Sequence, residues 1–496
     1  MLFGIFLLNL YLSLSRIDGL SQFKRARNGR KRKIKIEEKD KFADPSHGLR
    51  CSNERLKLGR MSRPNILWIV TTQWRAQACG YAGDPNARTP HLDRLAKESV
   101  NFRQAVTPHP AGPFARAALL TGIPCPENGV KDYFDPLPPT ARTFAHQLNE
   151  RGYATAFFGK WHLGRRDPAA PLVGEAHATT IVPPESRGGF GFWEGFESGF
   201  LLNDPWLHGT RLPAPARFEG YQSDVVCERA AGWIREQGEI VDFSNERMTR
   251  EWRPESIRDL QSTIRNRTPW FTCVSLEAPH PPFAAPAAGI APREPRDVSL
   301  PLNVPTGEAA AKARTELAGY YAHIEATDRA IGRLLAAVDP IGDSTVVVFT
   351  SVHGDMHGAH GLFRKGWPHE ESVRVPLLLR HPRHRHAVTG IEDRPLSLLD
   401  LSQLMLAEME KTTLKLPDAF ARISMPVAVN LPHQCDRVWR GMRTKDRKLV
   451  LNADGSPWLF FDLENDPFEL RNLAGDPSWM VEMTEWRMLL EKSRSR

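Results

Sequence analysis

The chain has no apolar run of membrane-spanning length at its start. Residues 2–14 are mostly apolar but too short for an ordinary span. No basic segment precedes them, as one would in a secretory signal. Cysteines are few: Cys51, Cys79, Cys125, Cys227, Cys273 and Cys435 are scattered through 496 residues. Without a CxxC pair or zinc spacing they form neither a disulfide framework nor a zinc motif. There is no internal repeat, and biased composition is confined to the N-terminal region. An excess of one charge is also missing from most of the chain. The net charge is +8, but residues 16–60 carry 15 Lys/Arg against 6 Asp/Glu, a local +9, which leaves residues 61–496 at −1. A nearly neutral body has no general attraction for nucleic acid or an anionic membrane.

The basic excess sits in Lys24–Lys41, KRARNGRKRKIKIEEKDK, whose composition reads as a solvated, disordered tail. A globular pattern opens abruptly at Met61 with MSRPNILWIV. The expectation is an N-terminal extension over 1–60, or a true start at Met61. A start at Met61 implies a cytoplasmic protein. A targeting segment in residues 1–15 implies an exported or membrane-associated one.

From there, 41% hydrophobic and 25% charged residues are ordinary for a globular protein, long enough for one large domain and a smaller one. NILWIVT at 65–71, PWFTCVSL at 269–276 and STVVVFT at 344–350 are short apolar runs rich in β-branched residues, the pattern of buried parallel strands. Between them lie helical patterns: TPHLDRLAKES, which Thr89 can cap and Pro90 can start, RAALLT at 116–121, 140–151, and a long one at 311–336. Strands alternating with helices predict an α/β fold, a mainly parallel sheet with helices on both faces. Residues 165–260 are rich in Gly, Pro and Trp with weak periodicity, and read as an insertion forming part of a cleft. Short strands and turns over 436–473 predict a small C-terminal antiparallel unit. The expected domains are 61–400 for the α/β body and 401–496 for a C-terminal α+β subdomain. Thr72-Gln73, His280 and Val352-His353 fall just past strand ends, where such folds place their sites.

These residues carry a resemblance. RPNILWIVTTQWRAQACG followed by TPHLDRLA is similar to the sulfatase opening. PFARAALLTG, FGKWHLG, APHPPF, TSVHGDMHGAHGLFRKG, EESVRVPLLLR and LFFDLENDPFELRNLAGDP resemble further sulfatase segments in the same order. The resemblance spans about 62–477 and implies the alkaline-phosphatase-like fold of sulfatases. It also implies a sulfate-ester hydrolase, in which a Cys or Ser oxidised to formylglycine attacks sulfur. A calcium ion would bind the sulfate oxygens, and basic residues would hold the sulfate and protonate the leaving alcohol.

Set on these motifs, the sequence departs from the family. Aligned on Arg116 the nucleophile position is Gly112; aligned on Pro113 it is Ala111. Neither can become formylglycine, so the covalent route is closed. Among the metal positions, Thr72 and Val352 replace aspartates, while Gln73 and His353 are retained variants. Calcium binding is therefore expected to be weak or absent. Asp355 matches a position of its own and reads as structural. The basic positions Arg116, Lys160, His162, His280 and Lys365 are all kept. The expectation is a weakly active or inactive homologue that binds a sulfated small molecule, a carbohydrate or an inorganic anion. The alternative is a sulfate- or phosphate-ester hydrolase using another mechanism.

Overall fold

The computed structural model describes residues 63–237, 268–382, 389–410 and 420–492. The N-terminal extension lies outside them. In chain order the strands are β1 (Asn65–Thr71), β2 (Val100–Phe102), β3 (Ala105–Val106), β4 (Ala154–Lys160), β5 (Phe192–Phe196), β6 (Trp206–Gly209), β7 (Ala216–Arg217) and β8 (Trp270–Ser275). They continue with β9 (Thr345–Ser351), β10 (Leu377–Arg380), β11 (Gly390–Glu392), β12 (Leu396–Ser397), β13 (Ala421–Met425), β14 (Trp439–Arg443), β15 (Arg447–Asn452) and β16 (Pro457–Asp462).

Ten of these build one mixed sheet in the order β11-β2-β10-β9-β1-β8-β4-β5-β6-β7. Its five central strands, β9-β1-β8-β4-β5, are parallel. Antiparallel pairings appear toward both edges. The continuous apolar runs have a simple cause. Alternate residues of a strand point to opposite faces, and both faces are covered. Ile66, Trp68 and Val70 of β1 pack in a core shared with Phe114, Leu119, Phe144 and Leu148 from the helices Gly112–Thr121 and Phe144–Asn149. Leu67 and Ile69 face the other core, with Leu317, Ile324 and Leu334 of the helix Glu308–Val338. The α/β reading therefore holds, with helices on both faces. The C-terminal unit is a four-stranded antiparallel sheet, β13-β14-β15-β16, with the helix Met480–Lys492 packed through Met483 and Leu490.

Several local expectations shift. Pro113 sits inside the first turn of a helix that begins at Gly112, one turn before the predicted Arg116, because proline is tolerated in a first turn. Thr89 stands at the N-cap of Pro90–Lys97, but its hydroxyl bonds Asp93 at 2.9 Å instead of a backbone N–H of the first turn. The weakly periodic region from 165 is not merely an insertion. It contributes β5, β6 and β7 to the main sheet, and the helix Gln222–Gln237 packs on the sheet's other face. Residues 238–260 lie outside the described residues. No helix among the described residues is long and apolar enough to cross a membrane.

Candidate active site

The carboxyl ends of four adjacent parallel strands, β9, β1, β8 and β4, deliver the predicted residues. Thr72 and Gln73 follow β1, Val352 and His353 follow β9, Glu277 and His280 follow β8, and Lys160 ends β4 with His162 two residues on. Gly159, at φ +95°, turns β4 at its end; a Cβ there would meet the Ser275 carbonyl oxygen of β8 at 2.1 Å. Only glycine suits that conformation and that approach, and it brings Lys160 against the residues after β8.

All five predicted cations are buried. Arg116 donates to Thr72 Oγ1 (2.8 Å), to Ser275 Oγ and to the Lys160 carbonyl (3.2 Å). Lys160 Nζ pairs with Glu277 Oε1 at 2.6 Å. Lys365 Nζ donates to Gln73 Oε1 and to His280 Nε2, the latter at 3.1 Å. The structure also separates the two registers at the nucleophile position. Ala111 packs into the apolar core. A Cβ added to Gly112 would lie 2.8 Å from His162 Nδ1, so position 112 is the one facing the basic cluster.

Burial is the first cause of every resolved pKa shift in this cluster, because it penalises the charged form. It pushes Lys160 down to about 8, with the neighbouring Glu277 opposing, and Lys365 down to about 7 with Asp355 opposing. Arg116 falls to about 10. His162, His280 and His353 are held well below the usual imidazole value, by burial first and then by the neighbouring cations. All three are therefore neutral, and their bonds fix the proton. Arg166 Nη1, which can only donate, lies 2.9 Å from His162 Nε2. His162 must then carry its proton on Nδ1, the atom facing Gly112. His280 Nδ1 faces the Pro281 carbonyl at 2.8 Å and donates to it. His353 Nδ1 donates to the Gly354 carbonyl at 2.8 Å, leaving a lone pair on Nε2. Among the described residues, the buried atoms around the cluster without a hydrogen bond include the donors His162 Nδ1 and Arg116 Nε and the acceptors His353 Nε2 and Glu277 Oε2.

The residues expected at the metal positions are otherwise engaged. Thr72 Oγ1 accepts from Arg116 and donates to the Leu276 carbonyl at 2.9 Å. Gln73 Oε1 accepts from Lys365, and its Nε2 donates to Asp355. Val352 is part of the apolar core. Asp355 also accepts the N–H groups of His357 and Arg364, so it is tied into the loop. Thr107 and His109, conceivable substitutes for the nucleophile, are bound up as well: Thr107 donates to the His109 carbonyl, and His109 Nε2 accepts the Cys125 N–H. Cys125 is a packed thiol, with its Sγ 3.3 Å from Asn128 Oδ1.

Four neighbours escaped the sequence reading. Glu277 and Glu197 are buried carboxylates that offset the cations, the second 3.4 Å from Arg166. Arg166 orients His162, four residues earlier in the chain. Phe200 stacks on His280 with ring centroids 4.3 Å apart and lies 4.5 Å below the Lys160 ammonium. The expected surplus of bare positive charge is thus largely compensated from within. Gln73, His162 and Phe200 have φ of 64°, 58° and 53°, a left-handed conformation uncommon for residues with side chains and concentrated at functional sites. A cavity of about 310 Å³ lies elsewhere, between residues 124–127 and the C-terminal sheet. None of the five predicted basic residues lines it.

A model of the sulfatase family matches residues 64–409. The chain belongs to the sulfatase family. An ulvan-active sulfatase from Formosa agariphila is 32% identical over 461 residues, covering 87% of this chain and 81% of that one. An arylsulfatase from Clostridium perfringens is 27% identical, covering 87% and 94%. Among solved structures, a protein in complex with its substrate D-glucosamine-2-N,6-O-disulfate superposes with a TM-score of 0.66 at 20% identity, covering 87% of this chain and 98% of that one. This last likeness speaks for the fold. Sulfatases generally use calcium.

Proposed function

We propose that this sulfatase homologue holds the sulfate or phosphate end of an anionic ligand, a sulfated sugar or small molecule, at the N-terminus of the helix Gly112–Thr121. It does so without calcium and without a covalent intermediate, and it hydrolyses sulfate esters weakly or not at all. One observation carries the reading. That helix start is buried and has no side-chain cap, and His162 presents an unpartnered N–H to it. A helix N-terminus exposes backbone donors and a positive dipole end, and an anion satisfies both. Arg116 Nε adds a third kind of donor.

Calcium does not fit the residues present. It requires six to eight oxygens, largely anionic. Here one candidate oxygen is held by Lys365, one hydroxyl is doubly bonded, and one position is valine. The Lys365 ammonium supplies positive charge where the metal positions converge. Gly112 has no side chain to oxidise. Three parts of the family's apparatus are changed together.

Calorimetry on metal-free protein with sodium sulfate, sodium phosphate and D-glucosamine 6-sulfate tests the binding. Saturable heat with each sulfated ligand is expected; no binding at moderate ionic strength overturns the reading. A second reading, attack by water in place of a protein nucleophile, is favoured by His353 Nε2 and Glu277 Oε2, two buried acceptors able to hold a water. Aryl sulfate or aryl phosphate turnover that is abolished by Lys160→Ala or His280→Ala would establish that second reading over the inactive one.

A further inference from the structure

We propose that a divalent transition-metal ion, zinc or manganese, binds where the loop 359–371 meets the C-terminal unit, ligated by His360, Glu371 and Glu469. This place is separate from the calcium positions of the family. One ligand atom from each of the three residues lies within 4.8 Å of the others. Ligands about 2.0–2.2 Å from a tetrahedral zinc ion lie about 3.3–3.6 Å apart, so the three side chains would draw in by up to about an ångström to close on the ion.

The surrounding charges isolate one carboxylate. Glu370 is paired with Arg443 at 2.8 Å, Lys448 at 2.8 Å and Arg374 at 3.5 Å. Glu469 is paired with Lys448 at 2.6 Å. Glu371 is 5% exposed and makes no ion pair among the described residues. Its Oε1 accepts from Asn303 Nδ2 at 2.8 Å, and its Oε2 makes no hydrogen bond among the described residues. A buried carboxylate without a cation is costly, and a metal ion is the partner it lacks.

Asn303 reinforces the point. Its Nδ2 faces three acceptors: Glu371 Oε1, His360 Nε2 at 3.3 Å and the Phe468 carbonyl at 3.2 Å. An amide nitrogen has two protons for these three, and the Oδ1 of Asn303 is buried and without a hydrogen bond among the described residues. The point they converge on is the amide nitrogen itself, so an ion drawn in by Glu371 and His360 would displace that NH2 group. Rotating the amide would turn Oδ1 toward that point as a further oxygen ligand. One imidazole nitrogen with carboxylate, amide and carbonyl oxygens suits zinc or manganese better than a thiolate-seeking metal. The ion would tie the α/β body to the C-terminal unit, since Glu469 follows β16 and the other two ligands follow β9.

The test is metal uptake by the full chain after stripping with chelator and dialysis against zinc or manganese, read by elemental analysis and calorimetry, with thermal unfolding alongside. One ion per chain and a raised Tm are expected. Uptake should be lost in His360→Ala and in Glu371→Gln, which preserves size and, in the metal-free state, should fold with an unchanged circular dichroism spectrum. It should survive His353→Ala. No uptake at millimolar metal overturns the proposal, as does uptake that persists in Glu371→Gln. Loss in His353→Ala would place the ion at the family's calcium positions instead.

Discussion

Adding one methyl group at position 112 separates an anion seat from an ordinary packed helix start. In Gly112→Ala the new Cβ lies 2.8 Å from His162 Nδ1 and 3.0 Å from Cε1. Real Cβ contacts are longer, so the imidazole must retreat by several tenths of an ångström. Arg166 resists this, because it holds the far side of the ring at 2.9 Å and is itself paired with Glu197. The methyl also occupies the volume in front of the helix N-terminus. Hydrogen bonds to a charged group contribute about 1.5–3 kcal/mol each, so losing the His162 donor alone should weaken anion binding about 10- to 100-fold. The effect on folding is smaller. Alanine reduces the freedom of the unfolded chain, a gain of about 0.4–1 kcal/mol, against an overpacking cost of about 1–3 kcal/mol. Calorimetric titration with sulfate at fixed ionic strength, paired with urea unfolding, reads both quantities. Affinity equal to that of the unaltered protein in Gly112→Ala would refute the assignment of this helix start as the seat.

Other consequences follow from the same groups. Burial lowers Lys160 from its usual value to about 8. Between that pH and about 10.4 the unfolded chain binds a proton that the folded chain has released, so this residue's contribution makes stability rise with pH over that window, by about 3 kcal/mol in all, and stay flat below it. The slope of unfolding free energy between pH 8 and pH 10 should therefore be shallower in Lys160→Met than in the unaltered protein; equal slopes would contradict it. Breaking the Lys160–Glu277 pair from one side, by Lys160→Met, should cost about 3–5 kcal/mol because Glu277 is left charged and buried. Adding Glu277→Gln should recover a good part of this in a double-mutant cycle by urea titration, and additive losses would count against the pair. Restoring carboxylates by Thr72→Asp and Val352→Asp should give no calcium-dependent rise in Tm. Lys365 still holds Gln73 Oε1, the carboxylate introduced at position 72 faces the Leu276 carbonyl, and the one introduced at position 352 buries a charge in the core. A calcium-dependent rise would show that the metal site was only two residues from intact.

The parts of this protein that were legible in its sequence share a cause. Strands β1, β8 and β9 are buried on both faces, so they must be apolar throughout, and a continuous run is visible without knowing its neighbours. The parallel centre follows from helices between them. The polar residues past the strand ends stood out against those runs, and ordered motifs around Arg116, Lys160, His162, His280 and Lys365 pointed to one site. The start of the helix at Gly112 was less visible, because Pro113 looks like a breaker until its place in the first turn is known.

Composition and motif order by themselves determined the family and the sheet. They could not tell which way residue 112 faces, which proton each buried histidine carries, or which carboxylate answers which cation. Those are properties of contact between distant segments. Glu277 meets Lys160 across 117 residues, Gln73 meets Lys365 across 292, and Asn303 meets Glu371 across 68. A glutamate reads the same on a solvated loop as beneath a sheet edge; only burial makes its charge costly, and burial exists only once the chain is packed. The tertiary structure alone therefore decided that Lys160 is matched by Glu277 and Arg166 by Glu197, that Lys365 stands against Gln73, and that Glu371 is buried without an ion pair among the described residues.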